Sequence, residues 1–523
     1  MPKVGSRDLF HLVQSLSKSE KRYLKLALQA MARGKELVYI TLFDAIETQS
    51  ASVGEYDEQA ILKQERSIQH KQLSNLKSYL YDFILDTMRV FWAGRTVESK
   101  LKNLLEDAWY VYDKQLISQC TEVLKKAEKL AFEFEKFAYL FEIFRLKRLL
   151  IFSGSDLRNA EKELKEMQAV KKSALQNLEN LNEYQSLSVD LFILTKQKNK
   201  IAGGKNFLKT PVLRNIHKAS SHEAKIHYYN LKSSYNRLIG NFNTAYEEAK
   251  ACIAVFERSP EFIKESLEGY VALISNALNL ALRAKKHKEC LELASKLKGV
   301  TENNSYRITP KTRIILMARY YNFYFDFYVQ QGLFEKALQL VPEVQEFIVD
   351  SKEKISPESR LLFEFIFGYF FFVVGNYKKS LYWLSKVLNE PDKKLRQDIQ
   401  DLSKLLFLMV HFELENYELI DQTIRSAAFN KYVAVKKISR SEDIAIHFFK
   451  KVLKAFENHD LKNHLKDFQK QLNFISKPEE ESSITRDVDL QTWVNCKVAH
   501  TNFSEAMRKN AEESSPHQYN MAD

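Results

Sequence analysis

Apolar residues recur three and four positions apart along this chain, in helix-length stretches separated by short polar turns, while the alternation expected of strands is scarce. The stretch from Ser356 to Pro391 shows the pattern most clearly. Ser356 suits a helix N-cap and Pro357 the first helical position, where a missing N–H has no intrahelical partner to lose. That helix is predicted to run to about Val374. Gly375-Asn376 permits a turn, because glycine reaches positive φ without a Cβ clash and asparagine tolerates it better than most residues. A second helix then carries Leu381, Leu384, Val387 and Leu388 on one face and stops before Pro391. The unit is a helical hairpin.

Similar hairpins can be followed through the chain by the residue after the turn. Ile117, Leu157, Phe242, His287, Phe334, Tyr377 and Tyr417 occupy that place, at spacings of 40, 85, 45, 47, 43 and 40 residues. A degenerate unit near Ile201 would divide the long gap. Three residues later a small side chain recurs (Cys120, Ala160, Ala245, Cys290, Ala337, Ser380), as the close approach of paired helices requires. Helix starts recur as well, at Thr210-Pro211, Ser259-Pro260, Thr309-Pro310 and Ser356-Pro357. In the clearest unit, Gly368, Phe371, Gly375-Asn376-Tyr377 and Ser380 resemble the tetratricopeptide repeat (TPR). The resemblance implies an all-α fold, a right-handed α-solenoid of TPR-like hairpins over residues 96–475, acting as a binding scaffold. Its units exceed the family's standard length of about 34 residues, which points to TPR-like solenoids with lengthened helices.

The repeat is not legible in residues 1–95, which form a helical N-terminal region. Ser17-Lys-Ser-Glu20 is a capping box, and further helices fit Glu36–Thr48, Asp57–Gln64 and about Ser67–Trp92. Short helices before a longer one fit a helix-turn-helix, with His70, Lys71 and Lys77 offered to phosphates. Residues 476–523 are acidic and polar. They read as a flexible tail with a marginal helix around Asp487–Arg508 and a disordered end.

Composition narrows the function classes. The longest apolar run, Leu361 to Val374, includes Glu364 and is short for a bilayer. With no leader-like N-terminus in the sequence, the expectation is a soluble, cytoplasmic protein. Cys120, Cys252, Cys290 and Cys496 lie far apart without a CxxC, so neither a disulfide framework nor a zinc site is indicated. Gly203-Gly204-Lys205 lacks the glycine and hydroxyl residue of a phosphate loop, and the histidine pairs stand five apart, off a common helix face. No metal, cofactor or catalytic constellation is expected, and the chain reads as a non-enzyme. The net charge of +12 is concentrated: Lys196, Lys198, Lys200, Lys205, Lys209, Arg214, Lys218, Lys225, Lys232 and Arg237 face a single acid, Glu223, within 196–237. Such a window attracts acidic protein segments or nucleic acid over a Debye length of about 8–10 Å.

TPR-like units bind ligands with polar residues of the first helix of each hairpin. Aligned by the turns, the resemblance places His227, Asn230, Ser234 and Arg237 on one helix. It places Ser275 and Asn279, with Asn276 and Arg283 alongside, on the next, and Arg319, Asn322, Asp326 and Gln330 on the third. Tyr320, Phe323, Tyr324 and Phe327 should hold this third helix against its neighbours. The expected partner is a protein or peptide, bound in the inner groove and acidic in character. A transcriptional or nucleic-acid-associated regulator and a chaperone-like factor are the alternatives.

Overall fold

The computed structural model describes residues 7–31, 37–52, 56–153, 157–196, 207–303, 306, 308–351, 355–426, 429, 440–457, 460–474 and 488–514. Every regular element among them is helical. The helices are α1 (Asp8–Ser15), α2 (Lys18–Met31), α3 (Leu37–Ser52), α4 (Glu58–Gln64), α5 (His70–Trp92), α6 (Val97–Asp113), α7 (Ile117–Glu133), α8 (Phe137–Ser153) and α9 (Leu157–Lys196). They continue as α10 (His222–Leu238), α11 (Phe242–Glu257), α12 (Pro260–Glu265), α13 (Leu267–Arg283), α14 (His287–Glu302), α15 (Pro310–Gln330) and α16 (Phe334–Asp350). The remainder are α17 (Pro357–Val373), α18 (Tyr377–Leu388), α19 (Gln397–Glu413), α20 (Tyr417–Arg425), α21 (Arg440–Glu457), α22 (Leu461–Asn473), α23 (Leu490–Ala499) and α24 (Phe503–Ser514).

The chain divides into two compact units, Met1–Leu178 and Glu179–Asp523, with the division inside α9. In the first unit, Leu9, Phe10, Leu24, Phe43, Leu80 and Ile84 centre the core of α1–α5. The capping box forms as its sequence predicts: the Ser17 N–H donates to Glu20 Oε2 at 2.7 Å and the Glu20 N–H to Ser17 Oγ at 3.3 Å. A second core, around Leu101, Leu124, Leu140 and Phe144, joins α6, α7 and α8 and reaches Ala174 of α9. The first hairpin, α6–α7, therefore belongs to the N-terminal unit.

All seven residues read as following a turn open a helix: Ile117 α7, Leu157 α9, Phe242 α11, His287 α14, Phe334 α16, Tyr377 α18 and Tyr417 α20. Two positions earlier the backbone is left-handed at Gln115, Gly240, Lys285, Gly332, Gly375 and Glu415. The next N–H reaches back to a carbonyl of the preceding helix, as in Leu333 to Tyr328 and Asn376 to Phe371, both 2.8 Å. This six-residue return is the Schellman closure, which satisfies carbonyls that the helix end would otherwise leave without donors. The small side chains that follow are inaccessible to solvent at Cys120, Ala245, Cys290, Ala337 and Ser380. Ala160 is only partly buried. The Ser380 hydroxyl donates to the Gly368 carbonyl at 2.7 Å, and a Cβ on Gly368 would stand 2.8 Å from Leu384 Cδ2. The two helices approach too closely for larger residues at this crossing.

Thr309 and Ser356 cap α15 and α17 as expected, accepting from the N–H groups of Thr312 and Ser359. Thr210-Pro211 instead opens only a 3₁₀ turn, Pro211–Leu213, and α10 begins later with Ser221 as its cap. Ser259-Pro260 opens the short α12 before α13. The degenerate unit near Ile201 lies outside the described residues. Within the second unit the hairpins pack in chain order, α11 on α13, α13 on α15, α15 on α17, α17 on α19 and α19 on α21.

The C-terminal segment departs most from its sequence reading. A tail with one marginal helix was expected; α23 and α24 form instead, separated by a left-handed His500, with Trp493 fully buried. The partners that order it, Phe412, Phe449 and Phe468, come from α19, α21 and α22 and are remote in sequence. The expected disordered end, residues 515–523, lies outside the described residues.

Candidate functional site

Three first helices of successive hairpins, α10, α13 and α15, carry the polar positions that the turn alignment selects. Each is fixed by apolar residues around the rest of its circumference. On α15, Tyr321, Phe323, Phe325, Phe327 and Val329 are buried, and the rings of Tyr320 and Tyr324 pack with centroids 4.5 Å apart. The polar side chains between them differ in how far they reach solvent, and they fall into three groups.

Asn230, Asn276 and Asn279 are exposed, as is Gln330. They offer amide donors and acceptors to solvent or to a ligand. Arg237 reaches the surface; partial burial of its guanidinium, and then the like charge of Arg283, hold its pKa below the ordinary arginine value. Arg283 also lies over the Phe242 ring at 5.7 Å. Asp326 accepts from Gln330 Nε2 at 3.0 Å, and burial pushes its carboxyl upward against the opposing effects of Gln330 and Arg283. Arg319 is lowered by burial, with Glu268 opposing. Asn322 Oδ1 is buried without a hydrogen-bond partner. A buried polar atom left in that state costs about 1–3 kcal/mol.

Other residues in the predicted stripe face inward. Ser275 is buried, and its hydroxyl donates to the Val271 carbonyl of its own helix at 2.7 Å. His227 turns toward α9, with Nδ1 3.5 Å from Ser188 Oγ, and burial lowers its pKa. Ser234 is partly buried. The exposed part of the stripe therefore narrows to Asn230, Arg237, Asn276, Asn279 and Gln330, with Arg283, Arg319, Asn322 and Asp326 partly buried beside them.

The basic window is less uniform than its composition suggests. Lys232 pairs with Glu248 at 2.6 Å and lies over the Tyr228 ring. Arg214 Nε donates to the Lys209 carbonyl at 2.8 Å. Lys209, Arg214, Lys218 and Lys225 are exposed, while Lys198, Lys200, Lys205 and the side chain of Lys196 lie outside the described residues. In the N-terminal unit His70 and Lys71 are exposed, but Lys77 is buried, donates to Glu58 at 2.6 Å and faces Tyr56. Lys77 is not presented to phosphates, which removes one of the three contacts expected of a helix-turn-helix there.

No group of three or more His, Cys, Asp or Glu side chains among the described residues could hold a metal ion, and no described helix is long and apolar enough to cross a membrane. All four cysteines are buried thiols, and burial pushes Cys252 up to about 12.

Two polar constellations escaped the sequence reading. Arg360 bridges Glu364 at 3.3 Å and Glu390 at 2.6 Å, both carboxylates being nearly buried. Glu413 accepts from Trp493 Nε1 and Lys497 Nζ, each at 2.6 Å, and from the Tyr377 hydroxyl at 3.1 Å. Neither could be found from spacing alone, since Glu390 and Trp493 stand 30 and 80 residues from their partners. The Trp493/Lys497 interval of one helical turn was the available signal.

Asp326 gives the site a pH signature. Its unfolded carboxyl ionises near the ordinary value and its folded one at higher pH. Its stabilising contribution is therefore complete below the unfolded pKa and is lost as pH rises through the folded pKa. Urea denaturation between about pH 4 and about pH 7 should show Asp326→Asn gaining stability relative to wild type as pH rises. A constant difference would place Asp326 in a solvated setting.

Compared with family models, curated proteins and solved structures, the chain matches none.

Proposed function

We propose that this chain is a non-enzymatic scaffold, a right-handed TPR-like solenoid that binds an acidic peptide or protein segment across α10, α13 and α15. The observation that carries the reading is the run of exposed polar side chains on consecutive first helices, Asn230 and Arg237 on α10 and Asn276 and Asn279 on α13, with Arg283 near enough to help lower the Arg237 pKa. Burial and a like charge disfavour the charged form of Arg237, a cost that an anionic ligand returns, and asparagines on the same helices can bond peptide amides in either direction.

The surrounding packing supports a site whose polar residues do not carry the fold. Asn276 and Asn279 protrude from α13, whose Val271, Ile274, Ala277 and Leu278 are buried. Acidic partners would also be drawn by Lys209, Arg214, Lys218 and Lys225, exposed near the start of α10.

The test is selection from a random peptide library by the purified protein. Acidic sequences should be enriched, and Arg237→Glu/Arg283→Glu should lose that enrichment while keeping its helical circular dichroism. Identical selections by both proteins would refute the assignment.

A further inference from the structure

We propose that residues 488–514 are a helical ligand held in cis, and that the face beneath them is a docking site for an amphipathic helix bearing the same anchors. The inference rests on the reading of the first-helix faces as binding surfaces and extends it to the other end of the array.

Register is the first argument. Asp326 stands eight residues before Phe334, as Tyr369 stands eight before Tyr377; Arg283 and Gln330 stand four before His287 and Phe334, as Glu413 stands four before Tyr417. On each of α17 and α19 one of these two positions is polar, Tyr369 and Glu413, while the other, Val373 and Met409, is buried in the core; the tail is bound at the polar ones. The Asp489 N–H donates to the Tyr369 hydroxyl at 3.4 Å, and Trp493 and Lys497 both donate to Glu413.

Direction is the second. A further repeat would stack on α21–α22 and leave the earlier hairpins alone. The tail packs on α21 and α22 through Trp493 and also crosses the earlier hairpins against chain order. Trp493 meets Phe412 of α19, Phe503 meets Phe372 of α17 at 5.7 Å, and Arg508 pairs with Glu335 of α16 at 2.8 Å. Its backbone lies on the α15–α16 turn, where a Cβ on Gly332 would stand 2.9 Å from Arg508 Cα. Gly332 stands two residues after Gln330 of the polar stripe.

The anchors define the partner. On α23 Leu490, Trp493 and Val494 are buried and Lys497 is partly buried, an i, i+3, i+4, i+7 face, while Asn495 and Ala499 are exposed. Such a pattern is the usual reading of a helix laid in a groove. Glu413 adds selectivity, since a helix lacking a donor at either anchor leaves a nearly buried carboxylate short of a partner. On α24, Phe503 and Met507 are only partly buried and Arg508 is exposed, so this half is the more loosely held.

A protease recognition sequence inserted within residues 475–487 allows the tail to be severed in the otherwise complete protein. A fluorescent peptide of residues 488–514 is then added. After cleavage the tail should co-elute with the array and helicity should be retained, and the labelled peptide should exchange into the array. Replacing Trp493 and Lys497 by alanine in the peptide, or Glu413 by glutamine in the array, should weaken binding by about tenfold or more, equivalent to about 1.4 kcal/mol. Loss of helicity or precipitation on cleavage would show that the tail is integral core and overturn the proposal. So would failure of the peptide to exchange, or exchange indifferent to these substitutions. Exchange without acidic-peptide selection would keep this docking face and refute the ligand class proposed for α10–α15; selection without exchange would do the reverse.

Discussion

Phe367→Ala should lower the stability of the protein by about 3–5 kcal/mol, the range for deleting a large aromatic side chain from a packed interior. Phe367 is wholly buried at the meeting of three helices, with its ring 5.2 Å from Phe325 of α15 and 4.9 Å from Trp383 of α18. Its loss removes apolar burial and also two aromatic pairs, each worth about 0.5–1.5 kcal/mol beyond the area they cover. Because the neighbouring hairpin crossing is already close at Gly368, the helices cannot simply collapse into the space. Leu338→Ala is the contrasting change. Leu338 is 52% exposed on α16, and surface substitutions usually stay within about 0.5 kcal/mol. Urea denaturation of both variants decides the matter; similar midpoints would mean that α15, α17 and α18 do not share this core.

Arg360→Ala should cost about 3 kcal/mol near neutral pH, the low end for breaking a buried pair, since about a third of the Arg360 side chain remains exposed. Glu364 and Glu390 are both nearly buried, and Glu364 Oε2 already lacks a partner. Burial pushes the Glu364 carboxyl above its ordinary value, while Arg360 and Lys386 oppose the shift. Removing the guanidinium removes one of these opposing charges, so the folded pKa rises further. The stabilising contribution of a raised carboxyl is complete below its unfolded pKa and disappears as pH climbs through its folded pKa. The deficit of the variant should accordingly be smallest in acid and widen toward neutrality. Denaturation across that range checks it, and a deficit independent of pH would show that packing by the arginine stem, rather than charge, is what was lost.

The hairpin register was legible because two local requirements repeat: a residue that can open a helix after a left-handed turn, and a small side chain three positions later. Glycine marks that turn at Gly240, Gly332 and Gly375, but Gln115, Lys285 and Glu415 adopt the same backbone without announcing it. A search for glycine alone would have lost those units. Thr210-Pro211 misled because proline at a first helical turn is equally compatible with a short 3₁₀ segment. The tail was opaque for a different reason. Its few apolar residues meet a surface assembled from α17, α19, α21 and α22, and their burial depends on contacts at long sequence range that composition does not encode. Register selected the polar positions, yet it could not distinguish Asn279, which is exposed, from Ser275, which bonds its own helix.

Binding across the first-helix faces is the central claim, and Asn279 tests it most directly because it is exposed midway along α13, where a bulky residue can obstruct a ligand without entering the core. Asn279→Trp and, on the second helix of the preceding hairpin, the exposed Lys250→Trp are titrated calorimetrically with one acidic peptide taken from the selection. The account predicts that the first substitution weakens binding about tenfold or more, equivalent to about 1.4 kcal/mol, and that the second leaves it unchanged. Equal affinities for wild type and Asn279→Trp would contradict it.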